Sequence, residues 1–203
     1  MRVKTGICLA AIAFASSLRV AAAQSPPPLL PRTDVTINYQ VATNGQPDKN
    51  YRVEYQAASE RARITALDPG PTQSLAFLVD VPAGRADLIM DATHTIIAMP
   101  DLAKLTALVS SPQGMRFTPL GHEMIAGLAC TKYLILSPRG SGTACLTRDG
   151  IALAVEGKDG RGSARVRALS VDEAPLPADD FTLPAGYSTL NLPPGMIAQM
   201  LGQ

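Results

Sequence analysis

Apolar and polar residues alternate with a period of two along much of this chain. Val35, Ile37, Tyr39 and Val41 are separated by Thr36, Asn38 and Gln40, which places one set of side chains on each face of a half-buried strand. The pattern repeats over Tyr51, Val53, Tyr55 and Ala57, after a turn at Asn44-Gly45-Gln46-Pro47-Asp48. It repeats again over Ala62, Ile64 and Ala66, after a tight turn near Ser59-Glu60. Three such strands joined by short turns predict an antiparallel meander.

Beyond the Asp68-Pro69-Gly70-Pro71 break, Leu75 to Val79 is apolar on both sides. That predicts a strand whose outer face is also covered. Leu88 to Met90 and Ile96 to Met99 follow as short strands, making six before residue 100. Asp101 is a good N-cap for a helix over 101–110, with Leu102, Leu105, Leu108 and Val109 at helical spacing and Ser110-Ser111-Pro112 as its stop. A lone amphipathic helix after a meander is expected to lie across one face of the sheet.

In the second half, residues from Gly121 read as a lead-in turn before strands at Thr131–Leu136 and Ala144–Thr147, with SPRGSG (137–142) between them. Asp149-Gly150 signals a hairpin into Ile151, Leu153 and Val155. Ser163 to Val171 is the next strand, with Arg165 and Arg167 outward, and 174–184 reads as an extended edge closing the sheet. Pro193-Pro194-Gly195 opens a short C-terminal helix in the tail, 191–203. The fold class is therefore mainly β (α+β). It is a single antiparallel sheet of about 9–11 strands with helix 101–110 lying across one face.

The N-terminus changes the compartment. Arg2 and Lys4, an apolar run from Ile7 to Phe14 and Ala21-Ala22-Ala23 before Gln24 make a cleavable secretory signal over residues 1–23. The apolar run is too short to span a bilayer, which takes about 20 residues; the alternative is a buried N-terminal helix. Removing 23 of 203 residues leaves 180, enough for one domain. It also removes Arg2, Lys4 and Arg19, leaving 15 Lys+Arg against 17 Asp+Glu, a net charge of −2. A near-neutral surface argues against nucleic acid as a partner, and no second long apolar segment supports stable membrane insertion. Residues 24–33 (QSPPPLLPR in large part) predict a flexible proline-rich leader, and 34–190 one domain. The pattern fixes no oligomeric state.

Cys8 leaves with the signal, so Cys130 and Cys145 are expected to form a disulfide in an oxidising compartment; the alternative is two reduced buried thiols. If SPRGSG is the hairpin loop, Cys145 faces Leu134, and the bridge needs a diagonal approach or an irregular strand.

Candidate chemistry is sparse. The two histidines, His94 beside Asp91 and His122 beside Glu123, fall at turns, and a metal site wants three or four converging ligands. Met90, His94 and Met99 are soft enough for copper(I), but methionines at such positions also serve as core filler. There is no G-x-S-x-G elbow and no phosphate-binding loop before a helix. Asp172-Glu173 and Asp179-Asp180 lie in proline-rich loops. We expect no catalytic residues, no metal and no cofactor.

Three stretches carry a resemblance: Ile125-Ala126-Gly127-Leu128-Ala129-Cys130-Thr131, Ala144-Cys145-Leu146-Thr147-Arg148-Asp149-Gly150-Ile151 and Asp180-Phe181-Thr182-Leu183-Pro184-Ala185-Gly186-Tyr187. Over most of 34–188 the chain resembles an exported Gram-negative envelope domain family (DUF4412-type). That family is grouped near the lipoprotein-carrier half-barrels of LolA/LolB-like fold, also seen in the periplasmic regulator RseB. The resemblance implies a periplasmic protein whose single bent antiparallel sheet, an open half-barrel, wraps helix 101–110 and encloses an apolar hollow. It carries no catalytic signature, and no position here matches the arginine by which the best characterised carriers control lipid release. Ile64, Phe77, Met90, Ile97, Met99, Leu102 and Leu105 are the residues expected to line the hollow. Two readings follow. One is a non-enzymatic carrier for an apolar ligand, a lipid or lipoprotein acyl chain; the other is an envelope interaction or stress-sensing protein that docks a partner polypeptide. The alternative to both is that the helix fills the hollow and leaves no ligand site.

Overall fold

The computed structural model describes residues 26–68, 75–99, 114–138, 140–159 and 162–190. Twelve strands among them form one open sheet. The first meander contains β1 (Val35–Thr43), β2 (Lys49–Gln56), β3 (Arg61–Ala66), β4 (Leu75–Asp80), β5 (Arg85–Met90) and β6 (Thr95–Ala98). The second contains β7 (Arg116–Ile125), β8 (Leu128–Ser137), β9 (Gly140–Leu146), β10 (Ala152–Asp159) and β11 (Gly162–Asp172), and β12 (Ser188–Leu190) comes last. Across the sheet the order is β12-β6-β5-β4-β3-β2-β1-β11-β10-β9-β8-β7.

The two meanders meet where the first strand of one pairs antiparallel with the last strand of the other. Ile37 faces Val171, Tyr39 faces Ala168 and Val41 faces Val166, with a bulge between Asn38 and Tyr39. The seam is sealed from inside by the Tyr39 hydroxyl, which donates to the Ala152 carbonyl at 2.6 Å; burial pushes that phenol's pKa well above its ordinary range. Val35, Ile37, Tyr55, Cys130, Cys145, Ile151 and Leu153 form the core around it.

The six strands expected before residue 100 are all present, as is the hairpin at Asp149-Gly150, where Thr147 N–H donates to the Ile151 carbonyl at 2.9 Å. The sheet departs from expectation in four ways. It has twelve strands rather than 9–11, because the stretch from Gly121, read as a lead-in turn, is the second half of β7. Pro119 and Gly121 break the alternation there and a bulge falls between them, which hides the strand from a period-two reading. The turn is instead Ala126-Gly127, both at positive φ (49° and 81°). This is the mirror-image geometry that a two-residue hairpin needs.

Second, the sheet is not purely antiparallel: β12 runs parallel to β6, pairing Ser188 with Thr95 and Leu190 with Ile97. Third, 174–184 is not an extended edge strand. It crosses the sheet face as a strap with a 3-10 turn at Ala178–Phe181, and Phe181, 1% exposed, packs on Ala76, Leu78 and Ile89. That strap is the cover implied by the two-sided apolar run in β4. The sheet is open among the described residues, as the half-barrel reading expected, with β7 and β12 at its edges.

Fourth, the leader lies against the sheet at Leu30 and Arg32. Arg32 N–H donates to the Asp149 carbonyl at 3.0 Å, and Leu30 lies against the apolar core. The expected signal (1–23), helix 101–110 and C-terminal helix (191–203) lie outside the described residues. No helix among those described is long and apolar enough to cross a membrane.

Candidate functional site: an apolar face on an open sheet

Strand register brings the residues expected to line a hollow onto one face. Val53 faces Ile64, Ile64 faces Phe77, Phe77 faces Leu88 and Leu88 faces Ile97. Directly paired residues share a face, so these five form one apolar row across β2, β3, β4, β5 and β6. Leu75 and Met90 pair in the row beyond it. Ile97 and Met99 are buried, whereas Ile64, Leu75, Phe77 and Met90 keep part of their surface open.

Five of the seven expected lining residues, Ile64, Phe77, Met90, Ile97 and Met99, thus meet in one cluster. Leu102 and Leu105 lie outside the described residues. Sequence reasoning missed Leu30, which packs on this cluster and on the core around the β1–β11 seam. The Leu29-Leu30 pair inside a proline run was its only trace.

The reverse face carries the Phe181 cluster and two ion pairs. Arg61 pairs with Asp80 at 2.8 Å and Arg85 with Asp87 at 2.9 Å, and both carboxylates are buried. Burial pushes the Asp87 carboxyl above the usual carboxylate range, the Arg85 guanidinium pulls it back, and Asp80 adds to the rise. Asp80 also accepts from Ala83 N–H at 3.0 Å. These ion pairs hold turn and strap in place and face away from the apolar row.

The histidines stand apart from each other and from the methionines' packing. His94, at φ 49°, packs its ring against Tyr187 at a centroid distance of 5.0 Å, and the Tyr187 hydroxyl donates to Asp91 at 3.1 Å. His122 shares a 3.2 Å hydrogen bond with Thr131. Met90 and Met99 pack among aliphatic side chains, and no group of three or more His, Cys, Asp or Glu among the described residues is placed to hold a metal ion.

An open cleft of about 480 Å³ lies away from the apolar row, where β8, β9, β10, β11 and β1 run side by side. Leu134, Thr143, Glu156, Arg165 and Ala42 face one another in sequence across those strands. Arg165 is engaged by Glu156 at 2.9 Å, and both are largely exposed. Its lining mixes polar and charged groups with Leu134, Ala42 and Ala164, unlike the row on β2 to β6.

No family model matches the chain, and no curated protein does either. Solved structures match in fold. A conserved protein from Thermus thermophilus superposes with a TM-score of 0.55 at 14% identity, covering 79% of this chain and 91% of that one. The Pseudomonas aeruginosa MucA/MucB complex gives a TM-score of 0.53 at 14% identity, covering 79% of this chain and 59% of the matched chain. The chain therefore spans about three fifths of that relative. A LolA-superfamily protein from Nitrosomonas europaea aligns more loosely, with a TM-score of 0.42 at 12% identity over 77% of this chain and 91% of that one. At these identities the likeness is one of fold, shared with the matched chain of the MucA/MucB complex.

Proposed function

We propose that this is an exported, non-enzymatic binding protein whose apolar face takes a lipid or a lipoprotein acyl chain. One observation carries the reading: the row Ile64–Phe77–Leu88–Ile97 is continuous across four strands, yet Ile64 and Phe77 remain partly open. Apolar surface left open on a folded sheet is stabilised by whatever covers it, at roughly 25 cal/mol per Å². An acyl chain matches such a row because it has no polar groups to satisfy. The secretory signal read at residues 1–23 supports a periplasmic setting for that activity. The polar groups nearby are engaged in ion pairs on the other face, and none is arranged for chemistry.

The test is native mass spectrometry of the mature protein purified from periplasm, followed by organic extraction. Co-purifying lipid that is lost in Ile97→Trp or Phe77→Glu supports the carrier. A clean polypeptide mass, together with no uptake of a fluorescent fatty acid by the purified protein, would sink it.

A second reading has one observation in its favour: a structure sharing this fold is a complex of two proteins, MucA and MucB. On that reading the apolar face docks a partner's extended segment, and cross-linking at Phe77 in the periplasm would capture a polypeptide instead of lipid.

A further inference from the structure

The apolar face already has an occupant drawn from the chain itself. Among the described residues, Leu30 and Ala62 are the two partly buried ones that pack on both apolar clusters, the one at the β1–β11 seam and the one on β3 to β6. Ala62 belongs to the sheet, whereas Leu30 is brought in by a segment with no strand partner of its own. That segment is seated on the β9–β10 turn. Arg32 N–H donates to the Asp149 carbonyl at 3.0 Å. Gly150, whose φ of 89° the turn already requires, lies so close beneath the segment that a Cβ there would come within 2.8 Å of the Leu30 carbonyl carbon and 3.3 Å of Pro28. Downstream, the Asp34 carboxylate is fixed by Ala57 N–H and Leu176 N–H, both at 2.9 Å. The segment thus has a firm base at Asp34 and a lighter hold at Leu30.

We propose that residues 28–33 form a strap that covers part of the apolar face in the empty protein, and that an incoming acyl chain displaces Leu30. This rests on the reading of the apolar face given above. Strap and ligand compete for the same surface, so the affinity measured is lowered by the fraction of molecules with the strap seated. The balance is close enough to tip: one half-buried leucine and one main-chain hydrogen bond oppose a chain of many methylenes. Pro28 and Pro31 restrict the released segment, so re-seating it costs less entropy than for an ordinary leader. The hollow would then never stand fully open to water, which suits a protein that takes up its ligand and gives it up again.

The experiment uses the mature protein with N-phenyl-1-naphthylamine as the apolar probe, and limited trypsin digestion to report cleavage after Arg32. Leu30→Ser should bind the probe roughly tenfold tighter than the parent and be cut after Arg32 sooner. Leu30→Met should restore parental behaviour in both. In the parent, adding probe should speed cleavage at Arg32. Equal or weaker binding by Leu30→Ser, with circular dichroism showing an intact fold, overturns the strap alone. So does probe binding that leaves Arg32 as protected as before. No binding by any of the three proteins overturns the apolar-site reading, and the competition falls with it.

Discussion

Cys145 stands opposite Lys132 in the β8–β9 ladder and still bridges Cys130, two residues away along the diagonal, with a Cα–Cα separation of 5.4 Å. The ladder closes at Ser137↔Gly140, so the hairpin loop is two residues, tighter than the six-residue SPRGSG reading that put Cys145 opposite Leu134. Even so the bridge remains diagonal. The right-handed twist of paired strands shortens one diagonal and lengthens the other, and the cysteines occupy a short one. The bridge closes a 15-residue separation. Cys130→Ser with Cys145→Ser should therefore lower stability by up to about 3 kcal/mol, less to the extent that the hairpin persists in the unfolded chain. Urea melts with and without reductant measure it; an unchanged midpoint would show that the hairpin needs no covalent closure.

Asp34 joins three segments through one carboxylate, taking hydrogen bonds from Ala57 at the β2–β3 turn and from Leu176 in the strap. Asp34→Ala leaves two main-chain donors unsatisfied and should cost about 2–4 kcal/mol. Asp34→Asn keeps one acceptor and should cost about half as much. Equal losses from the two variants would show that one of the bonds contributes nothing.

Phe181 is the deepest residue of the strap, packed on Ala76, Leu78 and Ile89. Truncation to alanine should cost about 3–5 kcal/mol in a denaturant melt. Because it lies on the face opposite Phe77, probe binding at the apolar row should survive in whatever fraction stays folded. A loss of probe affinity in parallel with Phe181→Ala would mean that the two faces are coupled.

Asp87 makes stability depend on pH. Burial raises its pKa in the folded protein, against the lowering effect of Arg85, so the folded state holds this proton more tightly than the unfolded one. Its contribution to stability is full below the unfolded value and is lost as pH rises through the folded one. Asp87→Asn removes that loss, so its stability relative to the parent should improve as pH rises from the ordinary carboxylate value, about 4, through the raised folded one. Urea midpoints at several pH values decide it: a relative stability that worsens with rising pH would show that the Arg85 pairing outweighs desolvation.

Local periodicity made the first meander legible, because β1, β2 and β3 each bury one face and the period of two survives intact. β4 showed that both of its faces are covered but not by what: the covering residues, Phe181 and Leu183, lie about a hundred positions along the chain in a stretch that reads as an edge. β7 was missed because Pro119, Gly121 and the bulge between them interrupt its alternation. The seam between β1 and β11 had no local signature at all, since either strand could have ended a sheet.

The candidate site divides in the same way. Apolar spacing marked Ile64, Phe77, Met90, Ile97 and Met99 one by one, but only the register puts Ile64, Phe77 and Ile97 in a single row. Leu30 could not be assigned in advance, because a leucine in a proline-rich leader has no periodicity and finds its place only where Gly150 leaves room for its backbone. The sequence by itself determined which residues sit on strands, where the chain turns and that two cysteines remain to pair, all properties of neighbours within a few positions. Tertiary structure alone decided which strand lies beside which, what covers β4 and where the leader rests. Those choices depend on contacts between residues far apart in the chain, and no short-range pattern encodes them.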